Sequence, residues 1–189
     1  MSRTARPLRP DGERPSQGPK RRTEMSKISP FLWYDDKAEE AAEFYVKVFT
    51  EWSGATPGTS KITNVARYGE GMPAPAGTAM TVAFEVEGQE FTALNGGPDH
   101  SFTDAISFVV SCATQGEVDE LWSALTDGGE ESMCGWLKDR YGLSWQIIPT
   151  ELYDLLGDLD AGRAQRATQA MLQMQKIDIA EIRRAADAA

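Results

Sequence analysis

Histidine and cysteine are scarce in this chain, with one His and two Cys in 189 residues. A zinc centre of imidazole and thiolate ligands has too few donors to form, and Cys112 and Cys134 lack zinc-site spacing. A Cys/His catalytic pair has few ways to assemble, so Cys134, beside Gly135, reads as a structural cysteine rather than a nucleophile. Two cysteines also fall short of a secreted disulfide framework, and reduced thiols in the cytoplasm are the expectation. No apolar run approaches the roughly 20 residues that span a bilayer, and the N-terminus lacks the basic-then-apolar order of a secretory signal. No membrane partner is expected. Basic charge is short as well: 19 Lys and Arg face 29 Asp and Glu, for a net charge of -10. The first 24 residues carry +4 and the remainder -14. Such an acidic body is a poor partner for phosphate backbones, which excludes nucleic acid as the expected ligand.

What is present fits one domain with extensions, since 41% of residues are hydrophobic and 25% charged. Residues 1–25 form a basic segment rich in Arg, Pro, Gly and Ser, without apolar periodicity, and are expected to be disordered. The run Met25-Ser26-Lys27-Ile28-Ser29 reads like a natural start. Regular patterning then begins. An apolar run from Ile28 to Tyr34 predicts a strand, and Asp35-Asp36 opens a helix carrying Ala38, Ala41, Ala42, Tyr45, Val46, Val48 and Phe49 at helical spacing. Lys61 to Tyr68, Ala79 to Val86 and Gln89 to Leu94 predict three strands, the last two joined at Glu87-Gly88 by a tight hairpin.

After Asn95-Gly96-Gly97-Pro98 the same order starts again. Ala105 to Val110 predicts a strand, Gly116 to Leu125 a helix, and Glu130 to Met133, Cys134 to Lys138 and Ser144 to Ile148 three shorter strands. Residues 26–150 therefore read as one α+β domain of two βαβββ modules, about 27–95 and 104–149. Residues 151–189 read as a helical extension, with helices over Tyr153 to Leu156, Ala161 to Met174 and Ile177 to Ala186. The Met-bearing face of this extension is expected to pack on the domain or on a second subunit.

The segment from Cys134 to Pro149 is a hairpin whose second apolar strand is interrupted by Gln146. If Gln146 faces a cavity, its side chain matters, because an amide holds a hard cation far less well than a carboxylate does.

Several stretches together resemble the vicinal oxygen chelate superfamily of glyoxalase I, ring-cleaving dioxygenases and bleomycin-resistance proteins. They are Ile28 to Tyr34, Ala93-Leu94-Asn95-Gly96-Gly97-Pro98, Ala105 to Val110, Asp119 to Trp122, the 134–149 hairpin and Ala170 to Ile179. Within it the chain resembles the PhnB-like branch, whose members often carry the name 3-demethylubiquinone-9 3-methyltransferase. The resemblance implies tandem modules forming an incomplete barrel around a cleft, commonly completed by dimerisation. It also implies, for the metalloenzymes, ligands on the first and last strands of each module. Carried onto this sequence, those regions are Ile28 to Phe31, Ala93 to Asn95, Ala105 to Ser107 and Trp145 to Ile147. None contains His, Asp, Glu or Cys, and Gln146 stands where the last carboxylate is expected.

The reading that follows is a homodimer that binds a small molecule without metal or other cofactor. Trp33, Phe108, Trp136 and Trp145 would supply apolar surface, and Asn95, Ser107 and Gln146 would orient the ligand. For each of these residues taken singly, a place in the core is the competing assignment. The alternative is an enzyme of glyoxalase, dioxygenase or, by the family's name, methyltransferase type, drawing on Glu85, Asp139 or His100. Methyl transfer would need a glycine-rich turn opening a helix, and Pro98 stands against that.

Overall fold

Asp35 and Asp36 end an apolar strand and Ala38 starts a helix; this βα step recurs at Ser111 to Gln115, so the two halves of the chain build the same unit. The structure is a computed structural model and describes residues 27–188; the basic segment over 1–25 lies outside them. In the first half β1 (Phe31–Tyr34) is followed by α1 (Ala38–Glu51), β2 (Lys61–Arg67), β3 (Ala79–Val86) and β4 (Gln89–Asn95). In the second, β5 (Phe108–Cys112) is followed by α2 (Gln115–Thr126), β6 (Glu130–Glu131), β7 (Trp136–Lys138) and β8 (Ser144–Pro149). The extension contains α3 (Thr150–Leu156), α4 (Ala161–Met171) and α5 (Ile179–Asp187).

Each module forms its own four-stranded sheet. The orders β1-β4-β3-β2 and β5-β8-β7-β6 are the same, with the first strand lying parallel to the last in both. Neither sheet closes on itself, as an incomplete barrel requires. Glu87 and Gly88, with φ of 47° and 79°, make the tight β3–β4 turn. Thr114 caps α2 by accepting from the Glu117 amide, and the Glu117 carboxylate accepts from the Ala113 amide.

Three strand starts differ from the sequence reading: β1 begins at Phe31 rather than Ile28, and the other two lie in the second module. The second module's first strand begins at Phe108 rather than Ala105. The Asp104 carboxylate is taken up by Lys138 and Ser144, and Thr103 Oγ1 accepts from the Ala105 amide, so the chain turns there instead of pairing. The strand expected from Cys134 begins at Trp136. Cys134 and Gly135 adopt left-handed φ of 61° and 83°, and their amides donate to the carbonyls of Met174 and Gln175 in the extension.

Strand parity sorts the side chains. Leu32, Tyr34, Val82, Phe84, Phe91 and Ala93 of the first sheet share one core with Leu137, Trp145 and Ile147 of the second, together with the apolar stripes of α1 and α2. Both sheets thus turn one face into a common core and the alternate face away from it. Trp145 packs against Tyr45 and Phe49 of α1, and Phe108 meets Phe91 edge-on at 5.1 Å.

At the centre lies Asp139, buried at 3% exposure. Its Oδ2 accepts from Tyr45 Oη at 2.7 Å and Trp145 Nε1 at 2.9 Å; Oδ1 accepts from the amides of Tyr141 and Leu143. Burial raises the Asp139 carboxyl above its ordinary value, while the four donors pull it back down. Tyr45 Oη also lies 3.3 Å from Tyr34 Oη, which gives the chain of hydroxyls a second partner.

Removing Tyr45 Oη by Tyr45→Phe is expected to cost about 1–2 kcal/mol, and Asp139→Ala, which strands four donors, about 3 kcal/mol or more, read as urea midpoints. A raised carboxyl binds its proton more tightly folded than unfolded, so this group's contribution falls as pH rises from the ordinary carboxyl value towards the raised one. The wild type's advantage over Asp139→Asn should therefore be greatest in acid and shrink across that interval.

Candidate functional site

The outward sheet faces carry the groups left free of the core. On the first sheet, Trp33 of β1 sits beside Leu94 of β4 in register, and Leu94 beside Thr81 of β3. The indole is held by Nε1 donating to the Gly97 carbonyl at 2.8 Å. Gly96 lies so close to it that a Cβ there would overlap the ring. His100 meets the same indole edge-on, with ring centroids 4.7 Å apart. The 96–100 loop thereby folds back onto the outward face and places the one histidine there.

On the second sheet, Gln146 occupies the middle of a cross-strand row, with Val109 of β5 on one side and Trp136 of β7 on the other. Its Nε2 donates to Ser107 Oγ at 2.8 Å. Ser107, Trp136 and Gln146 are therefore brought together, half-buried, on one face. A cavity of about 420 Å³ is lined by Trp136 with Lys138, Ser144, Met133 and Cys134 among others; Ser107 and Gln146 do not line it.

The remaining three sequence candidates lie elsewhere. Trp145 is 3% exposed and faces the core through its bond to Asp139. Phe108 and Trp145 border a cavity of about 430 Å³ between the modules, with Phe49, Trp52 and Val86. Asn95 is committed to the fold on both sides of its amide: Oδ1 accepts from the Ala38 amide at 2.7 Å and Nδ2 donates to the Ala79 carbonyl at 3.0 Å. It serves as the N-terminal cap of α1 from 57 residues away, where the Lys37 side chain makes no capping bond. A wider groove of about 970 Å³ lies between α1 and α2, lined by Phe44, Trp52, Glu120 and Arg140 among others, away from both outward faces.

Two of the three acid/base candidates are also constrained. Asp139 is closed in by its four donors, and Glu85 is paired with Lys61 at 2.8 Å. Cys112 is fully buried, and burial pushes its thiol up to about 12. Among the described residues no group of three or more His, Cys, Asp or Glu is placed to hold a metal ion. The donors at the expected ligand positions are hydroxyl, amide and carbonyl, which do not fit a resident transition-metal ion.

Sequence reasoning missed the Trp33–His100 contact and the cap made by Asn95. The Gly96-Gly97 pair directly after a strand was the available signal for the first, because only a residue without Cβ lets the indole lie on the backbone.

A family model described as 3-demethylubiquinone-9 3-methyltransferase matches residues 26–148. The chain belongs to this family. Among solved structures, the PhnB protein of Bacillus cereus, whose description carries the same methyltransferase name, is 34% identical with a TM-score of 0.58; the match covers 66% of this chain and 100% of that one. Protein PA1353 from Pseudomonas aeruginosa, 21% identical with a TM-score of 0.50, matches over 65% of this chain and 96% of that one, and shares the fold. No curated protein matches the chain. This is the PhnB-like branch of the vicinal oxygen chelate superfamily, with which the duplicated sheets agree. The methyltransferase name finds no cradle for a nucleoside methyl donor after β4: in this PhnB-like chain Gly96 and Gly97 clasp Trp33, and the chain continues into a loop instead of a helix.

Two substitutions separate structural from ligand-facing roles here. Asn95→Ala should lower stability by about 2 kcal/mol through the lost cap and carbonyl bond, read by thermal unfolding. Gly96→Ala should displace the indole, costing roughly 1–3 kcal/mol and shifting tryptophan emission.

Proposed function

We infer that this PhnB-like protein binds a small molecule with apolar or aromatic surface, without a metal, in a cleft that two copies of the chain complete. The observation that carries the reading is the Gln146–Ser107 pair, a half-buried polar couple set between Trp136 and Val109 on a face turned away from the core. A few oriented polar groups within apolar walls are what a small-molecule site requires. Trp33 and His100 form a second patch on the other sheet, and the shared core keeps the two patches apart within one chain.

The edges of the sheets support the dimer. β1 and β5 are edge strands, and Phe31 and Val109 on them are 60% and 51% exposed, with Ile28 and Ile106 exposed just ahead of each strand. Apolar edge strands are ordinarily covered. A second copy laid along β1 and β5 would cover them and set the Trp33 face of one copy against the Gln146 face of the other. Trp33, Ser107, Trp136 and Gln146 are the proposed ligand contacts. Phe108 and Trp145 are proposed to stiffen the wall behind them. No described helix is long and apolar enough to cross a membrane, and reduced thiols support a cytoplasmic setting.

Metal-free binding rests on the chemistry of the donors: an amide already donating to Ser107, in a row with an indole and a valine, offers a cation one weak oxygen. Protein purified without chelator is expected to carry less than about one-tenth equivalent of any divalent ion by elemental analysis. Gln146→Glu should gain measurable affinity for Mn²⁺ or Ni²⁺. Light scattering should give twice the 20.7 kDa chain mass. A stoichiometric ion in the wild type would overturn the metal-free reading, and a monomer would overturn the shared cleft.

A further inference from the structure

The family match ends at Ile148, and α3, α4 and α5 follow it. Their placement is specific. Ile148 stands two residues after Gln146 and so on the same outward face, yet it is 5% exposed, packed with Leu152, Leu155, Ala167, Ile177 and Ile182 in a second apolar core. Across β5 from these two residues, Ser111 and Val109 remain exposed. The extension therefore covers β8 just past Gln146 and stops short of β5.

Three sets of bonds hold it there. The amides of Cys134 and Gly135 donate to the carbonyls of Met174 and Gln175, both at 2.7 Å. Gln115, at the start of α2, clasps the extension with both ends of its amide: Nε2 donates to the Ile177 carbonyl and Oε1 accepts from the Ile179 amide. Asp119, one turn on, pairs with Lys176. At Gly135 a Cβ would come within 3.2 Å of Ile148, the Ile147 carbonyl and Ile177 together, so hairpin, strand and extension meet there with no spare room.

We propose that the three C-terminal helices are the end wall of the ligand cleft on the second sheet, limiting how long a ligand can lie past Gln146. The proposal rests on the cleft reading above and adds its size limit. An apolar ligand running along β8 from Gln146 meets Ile148 already sealed beneath Ile177, whereas the extension leaves the β5 side uncovered. The class of ligand follows: compact, with its polar group at Gln146 and its apolar body directed away from the extension.

The test uses the full chain and two fluorescent probes of one chemistry, anilinonaphthalene sulfonate and its dimeric, longer form. The wild type should bind the short probe at least about tenfold more tightly than the long one, a difference of about 1.4 kcal/mol. The double variant Gln115→Ala/Asp119→Ala opens the clasp and should reduce that preference below about threefold without weakening the short probe. Met174→Ala, which thins the second core, should act in the same direction. Loosening is read independently as faster thiol labelling of Cys134, whose amide is tied to the extension, in a Cys112→Ser background. Unchanged probe preference with faster labelling overturns the wall, and unchanged labelling overturns the clasp. If Gln146→Ala leaves wild-type probe binding intact, the cleft reading itself fails, and the wall with it.

Discussion

A buried carboxylate, Asp139, is the tie on which the arrangement of the two modules depends. It joins α1 of the first module, through Tyr45, to β8 of the second, through Trp145, while its other oxygen shapes the β7–β8 turn. A carboxylate placed this deep without a cation is tolerable only because four donors replace its water. Three of the four lie within six residues of Asp139 and Tyr45 comes from the first module, so the set is completed only when both modules are folded and docked. The consequence is geometric. With the helix-bearing faces locked together, the other face of each sheet points away, and the groups suited to holding a ligand stand on opposite sides of one chain.

The same constraint explains the pattern of exposed apolar residues. Phe31 and Val109 are not leftovers of a poorly filled core, which holds Leu32, Val82, Ala93, Leu137 and Ile147 at 5% exposure or less. They lie on the edges that a second copy is proposed to cover. The C-terminal helices close a third side. Cys134 and Gly135 leave strand geometry to hand their amides to this extension, so the hairpin that carries Trp136 and Gln146 is held from behind by Asp139 and from its end by Met174 and Gln175.

Much of the fold was legible in the sequence because local patterns and global packing agree: period-two strands, a 3.6-period stripe on α1 and α2, and a Glu-Gly hairpin turn all fall where the elements stand. The starts of β5 and β7 were not legible, because each is set by a distant partner, Lys138 for Asp104 and the Met174–Gln175 carbonyls for Cys134 and Gly135. The site was legible only in part. Gln146 stood out as a polar residue inside an apolar strand, and the structure gives it Ser107 as a partner. Asn95 stood out equally, but its amide turned out to cap a helix. Trp145 and Trp136 differ by nine positions and look alike in sequence; strand parity alone sends one into the core and the other outward. Asp139 sits in a run of charged turn residues, and nothing local marks it as the buried member.

The central claim is that each cleft is shared, with the Trp33 face from one copy and the Gln146 face from the other. Mixing tests it most directly. Trp33→Ala and Gln146→Ala chains, each deficient in probe binding alone, are unfolded together, refolded as mixed dimers, and titrated with anilinonaphthalene sulfonate. Mixed dimers should regain wild-type affinity at one site in two, because one of their clefts carries neither substitution. Mixed dimers that bind no better than either parent would contradict it.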